Sequence, residues 1–375
     1  MHLELSEDQE FFRETTRRFL ESEVPLTEVR ALYDHPAGYD ESWWRQACEL
    51  GWTSMYVPEA HGGGSLSGRP TCDAVMVAEE MGRLVSPGPF GATNVVAAAL
   101  ARAGSDALQA AVLPALLSGD AVASWAFGEA GGAWSVDGGT TTLTAKGDGY
   151  LLNGTKSYVE AATTSKWFLV TATSVDGPAQ VLVAADAAGV AVTSGRSVDM
   201  TRRFGKVAFT DVSVGAGDVV GPVGGAKADV EYQLQVAIAL QCAELVGMAD
   251  HMLTTTLEYA QERFAFGRPI ASFQAIKHRV ADMVGWLEYA KAVTDDLALA
   301  IDTGRDDVVS LASVAKAWVG EKGSAIIDEC VQITGGIGVT WEHDLHLYNR
   351  RAVVNRAVLG TPEEHKLALC ALIEA

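Results

Sequence analysis

The order of its periodicities constrains this chain most. Over 6–117 apolar residues return every three or four positions, as in Phe11, Phe12, Thr15 and Phe19, and again in Trp43, Trp44, Ala47 and Leu50. That is the spacing of one helix face. Near Gly119 the texture changes to short runs rich in β-branched and aromatic residues, at 140–144, 150–152, 167–170, 181–183 and 207–209. Turn residues part them, among them Gly147-Asp148-Gly149 and Asn153-Gly154. After Gly221-Pro222 and Gly224-Gly225 the helical period resumes and runs through 228–264, 274–303 and 307–334. Helices, then strands, then helices exclude a doubly wound sheet, in which the two would alternate. The expected fold is α+β: an N-terminal α-helical domain at 1–118, a middle antiparallel β domain at 119–225 and a C-terminal four-helix bundle at 226–375.

Charge narrows the possible partners. Lysine and arginine total 28 against 48 aspartate and glutamate, a formal net charge of −20, which excludes nucleic acid. No uninterrupted apolar run approaches the roughly 20 residues of a membrane helix. The start of the chain, with Glu4, Glu7, Asp8 and Glu10, is unlike the basic and then apolar start of an export signal. A soluble, cytoplasmic protein is expected. Its five cysteines, Cys48, Cys72, Cys242, Cys330 and Cys370, are odd in number, dispersed and without a Cys-x-x-Cys pair. They read as reduced, buried thiols rather than a disulfide frame or a zinc site. Gly62-Gly63-Gly64 lacks the Gly-Lys-Ser/Thr of a phosphate loop and is expected to turn between helices.

The densest signal runs from Tyr259 to His278: Tyr-Ala-Gln-Glu-Arg-Phe-Ala-Phe-Gly-Arg-Pro-Ile-Ala-Ser-Phe-Gln-Ala-Ile-Lys-His. It predicts a helix ending at Phe266-Gly267, a Pro-bearing link, and a new helix capped by Ser272. Arg263 then lies in the last turn of one helix and Gln274 in the first turn of the next. A permanent cation, an amide and an aromatic ring beside free backbone N–H groups suit a diphosphate and its nucleoside. A plain helix corner with a surface arginine is the bland alternative.

This run resembles the signature of the acyl-CoA dehydrogenase family. So do Ala315-Lys316-Ala317, the stretch from Val331 to Gly338, and Arg350-Arg351-Ala352 leading to Gly360-Thr361. In particular the chain is similar to actinobacterial members that form mixed-subunit dehydrogenases in steroid side-chain breakdown. The resemblance spans essentially the whole length. It implies FAD held across a subunit boundary, with Arg263, Phe266 and Gln274 meeting the adenine diphosphate half. Gln332, Gly335 and Gly336 would meet the same region of a neighbouring subunit's cofactor. Phe127 and Tyr158, in the stretches 124–129 and 156–160, fall where the middle domain would cover the flavin ring and the thioester.

Two departures from the family matter. Gly128-Glu129-Ala130, Ala133-Trp134 and Tyr158-Val159-Glu160 stand where hydroxyl-bearing motifs are usual, and a carboxylate at Glu160 would oppose the anionic character of a reduced flavin. More seriously, α,β-oxidation of a thioester needs a base for the α proton. The family's two positions for that glutamate correspond here to Ala237 and Leu359. The nearest carboxylate on the same helix face is Glu244, seven residues and on the order of 10 Å beyond Ala237, a displaced base or simply a paired surface group. Glu363 and Glu364 read as a solvent face. His343 and His346, near Glu342 and Asp344, are spaced for one helix face but lack a defined third ligand, so no metal is expected.

These features predict a subunit supporting FAD-dependent desaturation of an acyl-CoA, with a second acyl-CoA dehydrogenase subunit supplying the catalytic glutamate. The competing readings are a self-sufficient homotetramer with a displaced base, a redox-inactive acyl-CoA binder, and an oxygenase of the same fold. The family implies an electron-transfer flavoprotein as electron acceptor.

Overall fold

A computed structural model describes residues 5–132 and 134–374. Glu4 of the acidic start and Ala133 of the middle-domain motif lie outside the described residues. Six helices come first: α1 (Glu7–Glu23), α2 (Leu26–Ala31), α3 (Glu41–Glu49), α4 (Pro70–Arg83), α5 (Phe90–Ala103) and α6 (Asp106–Leu117). Ser6 starts α1 with a capping box, accepting from Gln9 N while the Gln9 side chain accepts from Ser6 N. The glycine run at 62–64 does lie between helices, with Gly62 at φ +83°.

Eight strands follow: β1 (Ala123–Ala126), β2 (Thr142–Lys146), β3 (Gly149–Glu160), β4 (Trp167–Ser174), β5 (Gly177–Ala184), β6 (Val190–Ser194), β7 (Phe204–Val214) and β8 (Val219–Val220). They form one sheet in the order β6-β7-β3-β2-β4-β5-β8, with β1 alongside β4. The sheet is mixed, not purely antiparallel as expected, because β1 runs parallel to β4 from Ala123↔Trp167 to Ala126↔Val170 and β2 meets β4 parallel at Thr142↔Thr173. The long connection from β1 to β4, which contains the β2–β3 hairpin, permits that direction. Strand alternation divides β4 cleanly: Phe168 and Val170 point into the sheet's own core, while Leu169 packs with Val96, Leu100 and Leu113 of the helices.

The C-terminal part holds α7 (Lys227–Glu262), a two-strand ribbon of β9 (Phe264–Ala265) and β10 (Arg268–Pro269), then α8 (Gln274–Thr303), α9 (Val308–Trp318), α10 (Ser324–Thr334), α11 (Leu345–Ala357) and α12 (Pro362–Glu374). A π-helical turn at Val319–Gly323 joins α9 to α10. Within α7 an 18-residue window is apolar enough to cross a membrane, yet 78% of it is buried inside the protein. Helices α4, α5, α8, α9, α10 and α11 pack against it. Helices α4 and α7 touch backbone to backbone: a Cβ at Gly82 would strike Glu244 O, and one at Gly247 would strike Glu79 O. Glycine at both crossings sets how close Glu244 comes to the N-terminal helices.

Four of the cysteines are buried, and Cys370 is exposed, against expectation. Burial pushes Cys48 and Cys242 up to about 12, so neither is a thiolate nucleophile.

Candidate active site

A cavity opens between α4, α5, the end of β1, α7 and the loop after α11. Met81, Phe90, Val95, Trp125, Phe127 and Leu240 give it apolar walls, and Ala237 and Leu359 both face it. Two positions 122 residues apart thus meet at one site. Leu359 is held in the left-handed region, φ +65°, where a non-glycine residue is strained. A ring nitrogen of His365, 2.9 Å from Leu359 O, ties it there.

Glu244 and Glu160 also face the cavity, but neither is free. Arg202 grips Glu160 with both ends of its guanidinium, Nε to Oε1 at 2.7 Å and Nη2 to Oε2 at 2.6 Å. The same side chain reaches Glu244 Oε2 at 3.3 Å and bonds Asn355 Oδ1. Asn355 Nδ2 donates to Glu244 Oε2 at 2.7 Å, and Arg351 pairs with Glu244 Oε1 and with Asp199. Burial alone would raise the Asp199 carboxyl, but the Arg351 charge outweighs it and holds that group below its usual range. Sequence reading found Glu160 and Glu244 but not their counterions. The basic pair Arg202-Arg203 and the motif Arg350-Arg351 were the available signals.

Behind Gln241, which also lines the cavity, Lys316 is buried and donates to Gln241 Oε1 and Asn355 O. Burial pushes its ammonium down to about 7. Glu129 turns away from the cavity to receive Lys156 Nζ at 2.9 Å, Thr140 N at 2.8 Å, Thr140 Oγ1 at 2.7 Å and Thr141 N at 2.9 Å. Burial opposes its ionisation, but these donors, led by Thr140 N–H, bring it down to about 2. Glu129 is therefore a strut of the β2 entry loop. Above it an aromatic ladder climbs the wall: Trp125 stacks on Phe127 at 4.1 Å, and Trp134 bridges Phe127 and Tyr158 at 6.1 and 5.9 Å. Tyr158 sits at a β-bulge with φ +58°, half-exposed at the rim.

The corner after α7 differs in detail from expectation. The helix stops at Glu262, leaving Arg263 as its cap, and Phe266-Gly267 is instead the turn of the β9–β10 ribbon, with φ +52° and +78°. Phe273 caps α8, while Ser272 Oγ donates back to Pro269 O. Arg263 is exposed without an ion-pair partner among the described residues, Phe266 is 96% exposed, and Gln274 is exposed. Tyr259 OH donates to Thr334 O, which brings the end of α10 beside this corner. There Gln332 is exposed, and nothing lies within 4 Å of where side chains would begin at Gly335 and Gly336. A free guanidinium, an aromatic face and open backbone fit a nucleotide diphosphate.

The histidines expected on one helix face are apart. His343 precedes α11 and accepts from Leu345 N through Nδ1, whereas His346 stacks on Trp341 at 4.8 Å.

An apolar, partly charged cleft thus lies between a helical bundle and a mixed sheet, with an exposed corner beyond the end of α7 that could take a diphosphate. Residues 6–120 match the profile "Acyl-CoA dehydrogenase, N-terminal domain" and residues 228–371 match "Acyl-CoA dehydrogenase, C-terminal domain". Acyl-CoA dehydrogenase IpdE2 of Mycolicibacterium smegmatis is 31% identical over 96% of this chain and 97% of its own. A solved variant of the Tcur3481-Tcur3483 steroid ACAD superposes with a TM-score of 0.89 at 30% identity, covering 98% of both chains. The ChsE4-ChsE5 complex from Mycobacterium tuberculosis superposes with a TM-score of 0.88 at 26% identity, covering 100% of this chain and 99% of that one. The chain belongs to the acyl-CoA dehydrogenase family of FAD oxidoreductases acting on CH–CH bonds.

Proposed function

We propose that this chain is one of two kinds of subunit in a mixed acyl-CoA dehydrogenase. It would support desaturation of an acyl thioester of lipid or steroid origin, with the partner subunit supplying the glutamate base. FAD, when bound, accepts the hydride lost from the β carbon. A protein group must take the α proton, and the side chains at both family positions, Ala237 and Leu359, have no atom that can accept one. The carboxylates that do face the cavity are committed to Arg202, Arg351 and Asn355. Protonating either would remove one of the carboxylates that neutralise the buried Arg202 and Arg351.

One observation carries the proposal. Arg263 follows Ala237 by 26 positions on the α7 rod, roughly 39 Å at the rise of an α-helix. That exceeds the span of an extended dinucleotide, so the corner of Arg263, Phe266 and Gln274 serves a neighbour's cavity rather than the chain's own. Gln332, Gly335 and Gly336 would act at the same boundary, while Phe127 and Tyr158 would meet the flavin ring in the chain's own cleft. The chain thus keeps what a neighbour's active site needs and lacks what its own would need. The names of the two mixed neighbours and the family's electron-transfer flavoprotein acceptor suit this assignment.

The test is turnover by parts. With a dye acceptor and a panel of acyl-CoA thioesters, the chain alone is expected to be inactive and the assembly with its cognate subunit active. Activity of the lone chain equal to that of the assembly overturns the proposal.

A further inference from the structure

We propose that Gln241 is a specificity residue whose amide N–H groups bind an oxygen, ketone or hydroxyl, carried by the acyl skeleton beyond the reacting carbons. This rests on reading the cavity as an acyl-thioester site. Gln241 is only 7% exposed and lines the cavity. Its orientation does not depend on an arbitrary choice of amide flip. Lys316 reaches Gln241 Oε1 from behind while also donating to Asn355 O, and in its protonated form it can only donate. The carbonyl is therefore turned towards Lys316 and the NH2 away from it. Among the described residues no acceptor meets that NH2, which is left open to a ligand in the cavity that Gln241 lines. A ligand oxygen in the cavity would satisfy it.

Position gives the chemistry its address. Gln241 follows Ala237 by four residues, so it lies on the same face of α7, roughly 6 Å further along. That distance is the length of an extended chain of about five bonds. If the level of Ala237 and Leu359 marks the reacting carbons, the amide meets the acyl group well past the thioester. Met81, Val95 and Leu240 around it are apolar and would serve a bare hydrocarbon without help. An amide fixed among them selects an oxygenated acyl group. Lys316 is the positioning residue, acting through Gln241 rather than on the ligand.

The assembled enzyme is titrated calorimetrically with octanoyl-CoA and with its 5-, 6- and 7-oxo derivatives. At least one oxo thioester is expected to bind roughly fivefold more tightly than octanoyl-CoA. The preference should vanish in Gln241→Met, weaken in Lys316→Met, and return in Lys316→Arg. Equal binding of all four thioesters by the wild type, or a preference that survives in Gln241→Met, overturns the role of Gln241 and leaves the acyl-thioester reading intact. Binding of none of them overturns both.

Discussion

Replacing Glu129 by glutamine keeps its shape and removes a charge that four donors share. Oε1 receives Lys156 Nζ and Thr141 N, and Oε2 receives Thr140 N and Oγ1. In Glu129→Gln the amide oxygen can serve only one of these pairs, and the NH2 then opposes a backbone N–H. Lys156, fully buried, keeps Phe127 O at 3.1 Å, Gly138 O at 3.4 Å and at most a neutral amide oxygen, with no counterion. An orphaned buried cation costs about 3–5 kcal/mol and an unmet N–H about 1–3, so a loss of at least about 4 kcal/mol is expected. In urea that is a fall of about 2 M in the unfolding midpoint, read from the fluorescence of Trp125, Trp134 and Trp167. The double variant Glu129→Gln/Lys156→Met removes the orphan charge and should recover at least half of the loss. The pH dependence has a definite sign. The folded carboxyl titrates at about 2 against an ordinary 4.5, so its contribution is complete above about 4.5 and is lost as pH falls through 2. Wild type and variant should converge in acid. An unchanged midpoint at neutral pH, or single losses that simply add in the double variant, would refute the strut.

Three further outcomes follow from the same geometry. Glu244→Gln in the assembled enzyme should cost less than about tenfold in turnover while lowering the melting temperature, whereas a fall of a hundredfold or more would make Glu244 the base. Lys316 releases its proton near 7 when folded but keeps it up to 10.5 when unfolded. Wild-type stability should therefore rise by up to about 4 kcal/mol relative to Lys316→Met between pH 7 and 10, and parallel pH curves would contradict this. Gly247→Ala would force a methyl against Glu79 O and separate α4 from α7, lowering stability by about 3 kcal/mol on thermal melting; a neutral effect would show that the crossing is not tight.

The broad layout was legible because it rests on local periodicity, and the Arg263–Gln274 corner stood out as a motif because its residues are contiguous. The ends of elements were not. Phe273 rather than Ser272 caps α8, and the Gly267 expected to close α7 closes a ribbon turn instead, since neighbouring cap positions compete within a kcal/mol or so. The parallel β1–β4 pair could not be read from alternation, which is silent on strand direction. Least legible was the cavity's polar wall. Arg202 lies 42 positions from both Glu160 and Glu244, and Arg351 lies 152 from Asp199. Such pairs exist only once the fold is closed. They also change the meaning of Glu160: its charge, which in isolation would oppose a reduced flavin, is matched by a bidentate guanidinium.

The most direct measurement is the visible spectrum of the purified chain alone and co-purified with its cognate subunit, with FAD supplied to both and acyl-CoA then added without oxygen. A colourless lone chain, and a yellow assembly that bleaches on substrate addition, is the predicted result. A lone chain that is yellow at one FAD per chain and bleaches with acyl-CoA would show that it carries a complete site, base included.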